Sequence, residues 1–385
     1  MIVQILNLSH KKVFDKYSIL YSIYRKVYRL GLLALEIRTL SKSLALKTQK
    51  IVLNEGEICY KNTDNGSEKI SLLITGSLGE LFNLARKILT AGDEELGFAL
   101  LNCINNYEKY DEKSYKIGNW LFDFRNAYVM GILNVTKDSF SDGGKYANTK
   151  DAVKHAFDML KKGADIIDIG GESTRPGSES IDEKDEIERV IPVIKKILKE
   201  KPKTVISVDT TKSKVAELAL KAGAKIINDI NAYEAQPELI NVVKEYNSTY
   251  IIMHMQGSPK NMQIQPHYSD VIKEIYSFLF NKTQEIKKIG IKNIFIDPGI
   301  GFGKSVADNF EILKRLGDFK SLGYPILIGA SRKSFIGKTL KLEVNQRDTA
   351  SAIVEALAIR NGAKIIRTHN VENGVQICKL LNNLN

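Results

Sequence analysis

The chain has 385 residues, more than one typical domain holds, and its 43% hydrophobic content is ordinary for a globular protein. No apolar run approaches the roughly 18 residues of a membrane span, and we find no secretory signal pattern, so no membrane partner is expected. Its three cysteines stand far apart, which argues against a disulfide framework and a zinc site and predicts a reducing, cytoplasmic setting.

The net charge of +11 is concentrated near the N-terminus. Residues 1–50 carry ten Lys or Arg and two acidic residues, with tyrosines between them. A basic patch of this kind can bind nucleic acid. Because no nucleic-acid module accompanies it, a solvated helix face is the favoured interpretation and no nucleic-acid partner is expected.

Residues 1–124 predict a small α/β domain of unknown role. Tyrosines at helical spacing indicate an amphipathic helix over 16–30, and a second helix is predicted over 32–44. A strand at 69–74 and a helix at 78–89 follow. No motif in this part assigns a chemistry to it.

From 125 to 385 the pattern is strand, loop and helix, repeated eight times. The strand-forming stretches are 129–136, 164–174, 205–212, 225–231, 250–257, 293–304, 326–334 and 364–370. Helices are predicted at 149–162, 182–199, 213–222, 237–246, 268–289, 306–316, 348–361 and 374–381. Eight such units predict a (β/α)8 TIM barrel. A doubly wound open sheet is the alternative fold, but it normally needs fewer strands.

Each predicted barrel strand ends at or just before a polar residue. Any single one could be a turn former or a helix cap. Active sites of such barrels lie at the carboxyl ends of the strands. Eight polar strand ends therefore predict one functional site at this end of the barrel, which we call the mouth. The residues are Asn134, Glu172, Asp209, Asn228, His254, Asp297, Lys333 and Arg367.

Three of these residues indicate what the mouth binds. Carboxylates and an amide, as in Asp209, Asn228 and Asp297, suit the edge of a planar heterocycle with several N–H donors and a carbonyl. Magnesium coordination by the same acids is the competing interpretation. We favour it less, because the cations Lys333 and Arg367 share the mouth.

Basic residues in the last two units indicate an anion site. The sequence SRKS at 331–334 stands where a helix begins, and Arg367 and His369 follow the last strand. Cations at a helix N-terminus suggest a bound phosphate or pyrophosphate. Solvated basic loops are the alternative. The long polar loops 134–148 and 171–182 are candidate lids, or simple surface excursions.

Long motifs in a fixed order carry a family resemblance. They are MGILNVTKDSFSDGG (130–144), GGESTRPG (170–177), SVDTTK (207–212), NDI (228–230), MHMQGSPKNMQ (253–263), DPGIGFGK (297–304) and SRKSFIG (331–337). Over 127–370 the chain closely resembles the dihydropteroate synthases. Lys137 stands where that family usually has proline, and Asn370 where it often has aspartate.

The resemblance implies a cytoplasmic folate-synthesis enzyme and sulfonamide target. It would join p-aminobenzoate to 6-hydroxymethyl-7,8-dihydropterin pyrophosphate, giving 7,8-dihydropteroate and pyrophosphate. Mg²⁺ is the implied cofactor and a homodimer the implied assembly. Pyrophosphate would leave first, aided by Mg²⁺ and Arg367. Nearby acids would stabilise the cationic pterin methylene before the amine attacks, with no protein nucleophile.

The resemblance also assigns roles to individual residues. Catalytic roles fall on Asp209, Asp297, Lys333, Arg367 and His369. The pterin would be bound by Asp209, Asn228, Met253, Asp297, Gly301, Lys333 and Arg367. The p-aminobenzoate pocket would comprise Thr174, Arg175, Pro176, Phe302 and Ser334. Pyrophosphate would be bound by Asn134, Arg367 and His369, and Mg²⁺ by Asn134. Phe140 and Asp142 belong to the loop that would close over the p-aminobenzoate pocket.

Two alternative functions stay open at this point. A methyltransferase of the same barrel class, using a reduced folate, would share the Asp and Asn positions but would not need STRPG or SRKS. A non-catalytic pterin- or RNA-binding scaffold is the other alternative. The loop residues Asp142 and Arg175 argue against it.

Overall fold

A computed structural model describes the chain except for residues 22–31, 55–57, 64–68, 136–144, 174–177, 179, 263 and 385. The described residues form two compact units. The first comprises Met1–Asp111 with Gly317–Gly323, and the second comprises Glu112–Leu316 with Tyr324–Asn385. No helix among the described residues combines the length and apolarity needed to cross a membrane.

The first unit contains an antiparallel sheet of four described strands in the order β1-β2-β4-β3. Its elements are β1 (Ile2–Asn7), α1 (Lys11–Leu20), β2 (Leu33–Leu40), α2 (Lys42–Asn54), β3 (Ile58–Thr63), β4 (Ile70–Gly76), α3 (Leu78–Thr90) and α4 (Glu94–Glu108). A capping box between Ser77 and Glu80 fixes the start of α3. β4 and α3 confirm the predicted strand and helix.

The helix predicted over 32–44 is wrong. Leu33–Leu40 is β2, which pairs with β1 on one side and β4 on the other. Leu35 and Ile37 are fully buried there, so strand pairing and burial outweigh local helix propensity. For the helix predicted over 16–30, residues 16–20 lie in α1, and residues 22–30 lie outside the described residues.

The second unit opens with the hairpin β5 (Ser114–Ile117) and β6 (Trp120–Asp123), upstream of residue 125, where the barrel domain was predicted to start. Eight described parallel strands then close into a barrel, which confirms the predicted TIM-barrel class. They are β7 (Tyr128–Asn134), β8 (Ile166–Gly170), β9 (Val205–Asp209), β10 (Ile226–Asp229), β11 (Thr249–Met253), β12 (Ile294–Asp297), β13 (Ile326–Ile328) and β14 (Ala363–Thr368).

Nine helices are described between and after these strands, and eight of them overlap the eight predicted helices. The additional helix follows β13, where the SRKS segment indicated a helix start. The nine described helices are α5 (Lys145–Lys161), α6 (Glu183–Glu200), α7 (Ser213–Lys221), α8 (Leu239–Glu245), α9 (Val271–Ile289), α10 (Val306–Lys314), α11 (Ser334–Leu340), α12 (Asp348–Arg360) and α13 (Val371–Asn382). Several carry good caps, such as Gly290 at φ 98° after α9 and the box formed by Ser305 and Asp308 before α10.

An apolar layer fills the amino end of the barrel. Each strand contributes one buried residue to it: Met130, Ile166, Val205, Ile226, Ile251, Phe295, Leu327 and Ile365. Ile117 and Phe122 of the hairpin, with Phe124, pack against this layer. The amino end is therefore apolar and filled, and polar chemistry is left to the carboxyl end.

Candidate active site at the carboxyl end of the barrel

The two-residue period of a strand explains which side chains reach the mouth. Side chains alternate between the two faces of a strand, so residues two and four positions after the apolar layer also face inward. From Val205 this gives Asp209, from Ile226 Asn228 and from Phe295 Asp297. The same count gives Asn134, Asp168, Met253 and Arg367.

Arg367 is the hub of a charged network at the floor of the mouth. Its Nε donates to Oδ2 of Asp168 at 2.6 Å, and its Nη2 donates to Oδ2 of Asp209 at 2.8 Å. Nδ2 of Asn228 donates to the same oxygen of Asp168 at 3.2 Å. Asp168 and Asp209 are thus bound to the last strand by charge-assisted hydrogen bonds, and Asn228 is linked to it through Asp168.

Asp168 is a functional candidate that the sequence prediction missed. It is fully buried, and its Oδ1 has no hydrogen-bond partner among the described residues. The available signal was its position two residues after Ile166, on the inward face of β8. Glu172, which was singled out instead, lies beyond the strand and forms an ion pair with Lys212. Lys212 also binds the buried Glu186 at 2.6 Å.

Burial and a neighbouring charge shift the protonation of Asp209. Burial raises the pKa of Asp209, Arg367 opposes the shift, and the second carboxylate at Asp168 adds to it. The guanidinium therefore stands between two acids that would otherwise repel each other.

Asp297 and Lys333 are oppositely charged groups that lie close enough to shift each other's protonation. Oδ1 of Asp297 accepts the N–H of Gly299 at 2.7 Å. Burial raises the pKa of Asp297 to about 6, although Gly299 and Lys333 oppose the shift. Burial lowers the pKa of Lys333 to about 8, and Arg367 lowers it further while Asp297 and Asp209 oppose. Both groups titrate close to neutrality, a feature common in active sites.

An apolar wall borders these polar groups. Ile230, Met253, Met262 and Phe302 form one buried cluster, with Met255 packed against it. Nζ of Lys333 lies 4.0 Å from the centre of the Phe302 ring. Gly301 has φ 82°, and a Cβ on it would lie 3.0 Å from Cδ of Lys333. Glycine therefore leaves Lys333 its place against the ring.

A buried pair, Lys304 and His254, fixes the loop that carries Gly301 and Phe302. Nζ of Lys304 contacts Nδ1 of His254 at 3.1 Å, the His254 carbonyl at 3.2 Å and the Phe302 carbonyl at 2.9 Å. Burial, and then Lys304, lowers the pKa of His254 well below its usual value. Burial also lowers the pKa of Lys304 to about 7. The neutral ring can accept a hydrogen bond from Nζ of Lys304, so His254 holds the loop in place. The sequence singled out His254 but not its partner.

The side chains of the SRKS segment make different contacts. Arg332 binds Asp348 through Nε at 2.6 Å and Nη2 at 2.8 Å, so its charge is already paired. Oγ of Ser331 lies 3.1 Å from both the backbone nitrogen and Nδ1 of His369. Lys333 reaches the mouth, and Ser334 begins α11.

The structure describes only some of the other predicted site residues. Asn134 ends β7 beside Gly170 of β8, and its Oδ1 lies 3.7 Å from where a Cβ on Gly170 would stand. Among the described residues, no group of three or more His, Cys, Asp or Glu could hold a metal ion. Thr174, Arg175, Pro176, Phe140 and Asp142 lie outside the described residues.

Comparisons with known proteins agree with this geometry. A family model described as "Pterin binding enzyme" matches residues 130–369. The dihydropteroate synthase of Synechocystis sp. is 43% identical over 268 residues, which cover 69% of this chain and 92% of that protein. The chain belongs to the dihydropteroate synthase family. It is accordingly an enzyme, a transferase of the folate pathway.

Solved dihydropteroate synthases share the fold. The Yersinia pestis enzyme, in a sulfonamide complex, has 38% sequence identity and a TM-score of 0.67, covering 71% of this chain and 99% of that one. The Xanthomonas albilineans enzyme with 4-aminobenzoic acid has 38% identity and a TM-score of 0.66, covering 70% of this chain and 97% of that one.

Proposed function

We propose that this dihydropteroate synthase condenses 6-hydroxymethyl-7,8-dihydropterin pyrophosphate with p-aminobenzoate to give 7,8-dihydropteroate and pyrophosphate. The observation that carries the proposal is the convergence of acids and cations in one mouth. Asp209 and Asp297 contribute the acids, and Lys333 and Arg367 contribute the cations. The pterin ring is rich in hydrogen-bond donors, and the released pyrophosphate is an anion. The site therefore needs both acidic and basic side chains.

The pterin ring fits between the polar strand ends and the apolar wall. Asp209, Asn228 and Asp297 would hydrogen-bond the ring edge, where N–H donors meet carboxylate and amide oxygens. Met253 and Gly301 would line its face. The planar guanidinium of Arg367, held by two carboxylates, is suited to stack over the ring.

Pyrophosphate would lie toward the rim, near Asn134, Arg367 and His369. An amide oxygen is a hard ligand, and Mg²⁺ commonly takes few protein ligands and completes its shell with phosphates and waters. Asn134 therefore fits a Mg²⁺ ion that arrives with the pyrophosphate. Bound there, the ion would neutralise part of the leaving group's charge.

The chain's own residues then account for both halves of the reaction. Arg367 would bind the departing pyrophosphate, and Asp209 and Asp297 would stabilise positive charge that develops at the pterin methylene. The aromatic amine of p-aminobenzoate would attack this carbon. No covalent protein intermediate is needed.

The p-aminobenzoate pocket is proposed from the family resemblance and from two described residues. Phe302 is buried beside Lys333, and Ser334 follows Lys333 at the start of α11. Both therefore lie next to the proposed pterin site. Thr174, Arg175 and Pro176 would complete the pocket, and Phe140 and Asp142 would close over it.

We also propose a homodimer. Exposed apolar side chains lie on and between three consecutive helices, α10 to α12: Phe310, Leu340, Val344, Ile353 and Leu357. Exposed large apolar residues on neighbouring helices favour a protein contact. A cytoplasmic location is proposed from the three unpaired cysteines.

The purified enzyme with both substrates and Mg²⁺ tests the proposal. We expect pyrophosphate release that requires p-aminobenzoate and that a sulfonamide suppresses. Methyl transfer from a reduced folate, without pyrophosphate release, would favour the methyltransferase instead. Pterin binding with neither reaction would identify a scaffold.

A further inference from the structure

A chain of buried hydroxyl groups ends at His369. Ser331 and Thr368 are both buried, and Oγ1 of Thr368 donates to Oγ of Ser331 at 3.4 Å, a long hydrogen bond. The backbone N–H of His369 also donates to Oγ of Ser331, at 3.1 Å. Nδ1 of His369 lies 3.1 Å from the same oxygen.

Counting protons fixes the direction of the last contact. A hydroxyl oxygen has two acceptor positions and one hydrogen to donate. Thr368 and the backbone of His369 fill both acceptor positions on Ser331. The Ser331 hydrogen therefore goes to Nδ1 of His369, which must accept it. In a neutral imidazole the ring proton is then on Nε2.

Thr368 is itself fixed by the backbone. Its Oγ1 accepts the N–H of Asn370 at 3.2 Å, and its own hydrogen is used on Ser331. Thr368 therefore holds the Ser331 hydroxyl in one orientation, with its hydrogen toward His369.

We propose that Ser331 and Thr368 are positioning residues that hold His369 neutral, with its proton on Nε2. In this tautomer Nε2 carries the N–H donor at the mouth, and Nδ1 accepts the hydrogen of the Ser331 hydroxyl. The role of that donor, a hydrogen bond to the departing pyrophosphate, rests on the proposed function. The tautomer itself does not.

The tautomer can be measured directly in the free enzyme. The chain has five histidines, so ¹⁵N-histidine labelling gives few signals, and loss of one pair in His369→Gln assigns His369. At pH 7 we expect ¹⁵N shifts of a neutral ring protonated on Nε2. A ring protonated on Nδ1, or a cationic ring, would overturn the proposal.

Paired variants separate the hydrogen-bond chain from mere packing. Thr368→Ser keeps the hydroxyl and should keep the His369 shifts. Thr368→Val has a similar size without the hydroxyl, and Ser331→Ala removes the group that contacts Nδ1 of His369. Both of these variants should give mixed tautomers. Unchanged shifts in a folded Ser331→Ala protein would contradict the proposal.

A kinetic comparison links the tautomer to the reaction. Ser331→Ala should raise KM for the dihydropterin pyrophosphate about tenfold, the value of one hydrogen bond, and leave KM for p-aminobenzoate unchanged. Equal effects on both substrates would contradict the assigned role. If the enzyme shows no condensation at all, the proposed function fails while the NMR result still decides the tautomer.

Discussion

Nε of Arg367 lies 2.6 Å from Oδ2 of Asp168, a carboxylate with no solvent exposure. The pair joins β14 to β8 across the floor of the barrel mouth. Breaking a buried pair by removing one partner is costly, because the other charge is left uncompensated. Asp168 therefore fixes the orientation of the guanidinium that the proposed mechanism uses.

Asp168→Asn should weaken catalysis more than folding. The amide can still accept a hydrogen bond, but the second anion that orients Arg367 is lost. We expect kcat/KM to fall on the order of tenfold, as for residues that orient a ligand-binding group. Asp165→Asn is the control, since Asp165 also accepts a hydrogen bond, from the N–H of Val129, but at the amino end of β8. Equal kinetic losses in both variants would argue against the assignment.

Asp297→Ala should cost turnover heavily and spare the fold. It removes a proposed pterin ligand, and kcat should fall on the order of 100-fold or more. The stability loss should be about 1 kcal/mol, the value of the hydrogen bond from Gly299. Asp308→Ala is a useful contrast, because it removes the α10 capping box, costing about 1 kcal/mol with kcat unchanged. Unimpaired kcat in Asp297→Ala would count against the site.

Gly301→Ala should raise KM for the pterin substrate by displacing Lys333. The new Cβ would stand 3.0 Å from Cδ of Lys333, at φ 82°. Gly290→Ala also places alanine at positive φ, 98°, but with no neighbouring atom within 4 Å. Both variants should lose about 1 kcal/mol of stability from backbone strain. An increase in KM should occur only in Gly301→Ala, and steady-state kinetics beside thermal unfolding would show it.

Glu355 should make stability depend on pH in an unusual direction. Its pKa is raised from 4.5 to about 8, so between these values the unfolded state ionises and the folded state does not. The folded state then binds more protons, and stability falls as pH rises, by at most about 1.4 kcal/mol per pH unit. Below pH 4.5 the effect is absent.

Glu355→Gln removes this dependence while keeping the shape of the side chain. The unfolding free energy of the variant relative to the natural chain should therefore rise steadily from pH 5 to pH 8. Denaturant unfolding at several pH values measures the difference. A difference that stays constant over this range would show that Glu355 is ionised in the folded protein.

The barrel and much of its mouth could be predicted because strand periodicity is a local property. Once Val205 and Phe295 face the core, Asp209 and Asp297 must face it too. Asp168 obeys the same rule, because it lies two residues after Ile166 within β8. Glu172 lies beyond the end of β8, where strand periodicity no longer predicts the orientation of a side chain.

Contacts between distant loops could not be predicted in this way. The pairing of Lys304 with His254 and the contact of Ser331 with His369 depend on where separate loops meet. Likewise, Leu33–Leu40 becomes a strand because β1 and β4 flank it, a fact absent from its own residues. Tertiary context decides such cases.

The most direct test is to look for the condensation product. The natural chain and Asp297→Ala would be incubated with dihydropterin pyrophosphate, p-aminobenzoate and Mg²⁺, and 7,8-dihydropteroate would be measured by mass spectrometry. We predict stoichiometric 7,8-dihydropteroate and pyrophosphate from the natural chain, and on the order of 100-fold slower formation in the variant. Recovery of intact dihydropterin pyrophosphate from the folded natural chain, with both substrates saturating, would contradict the account.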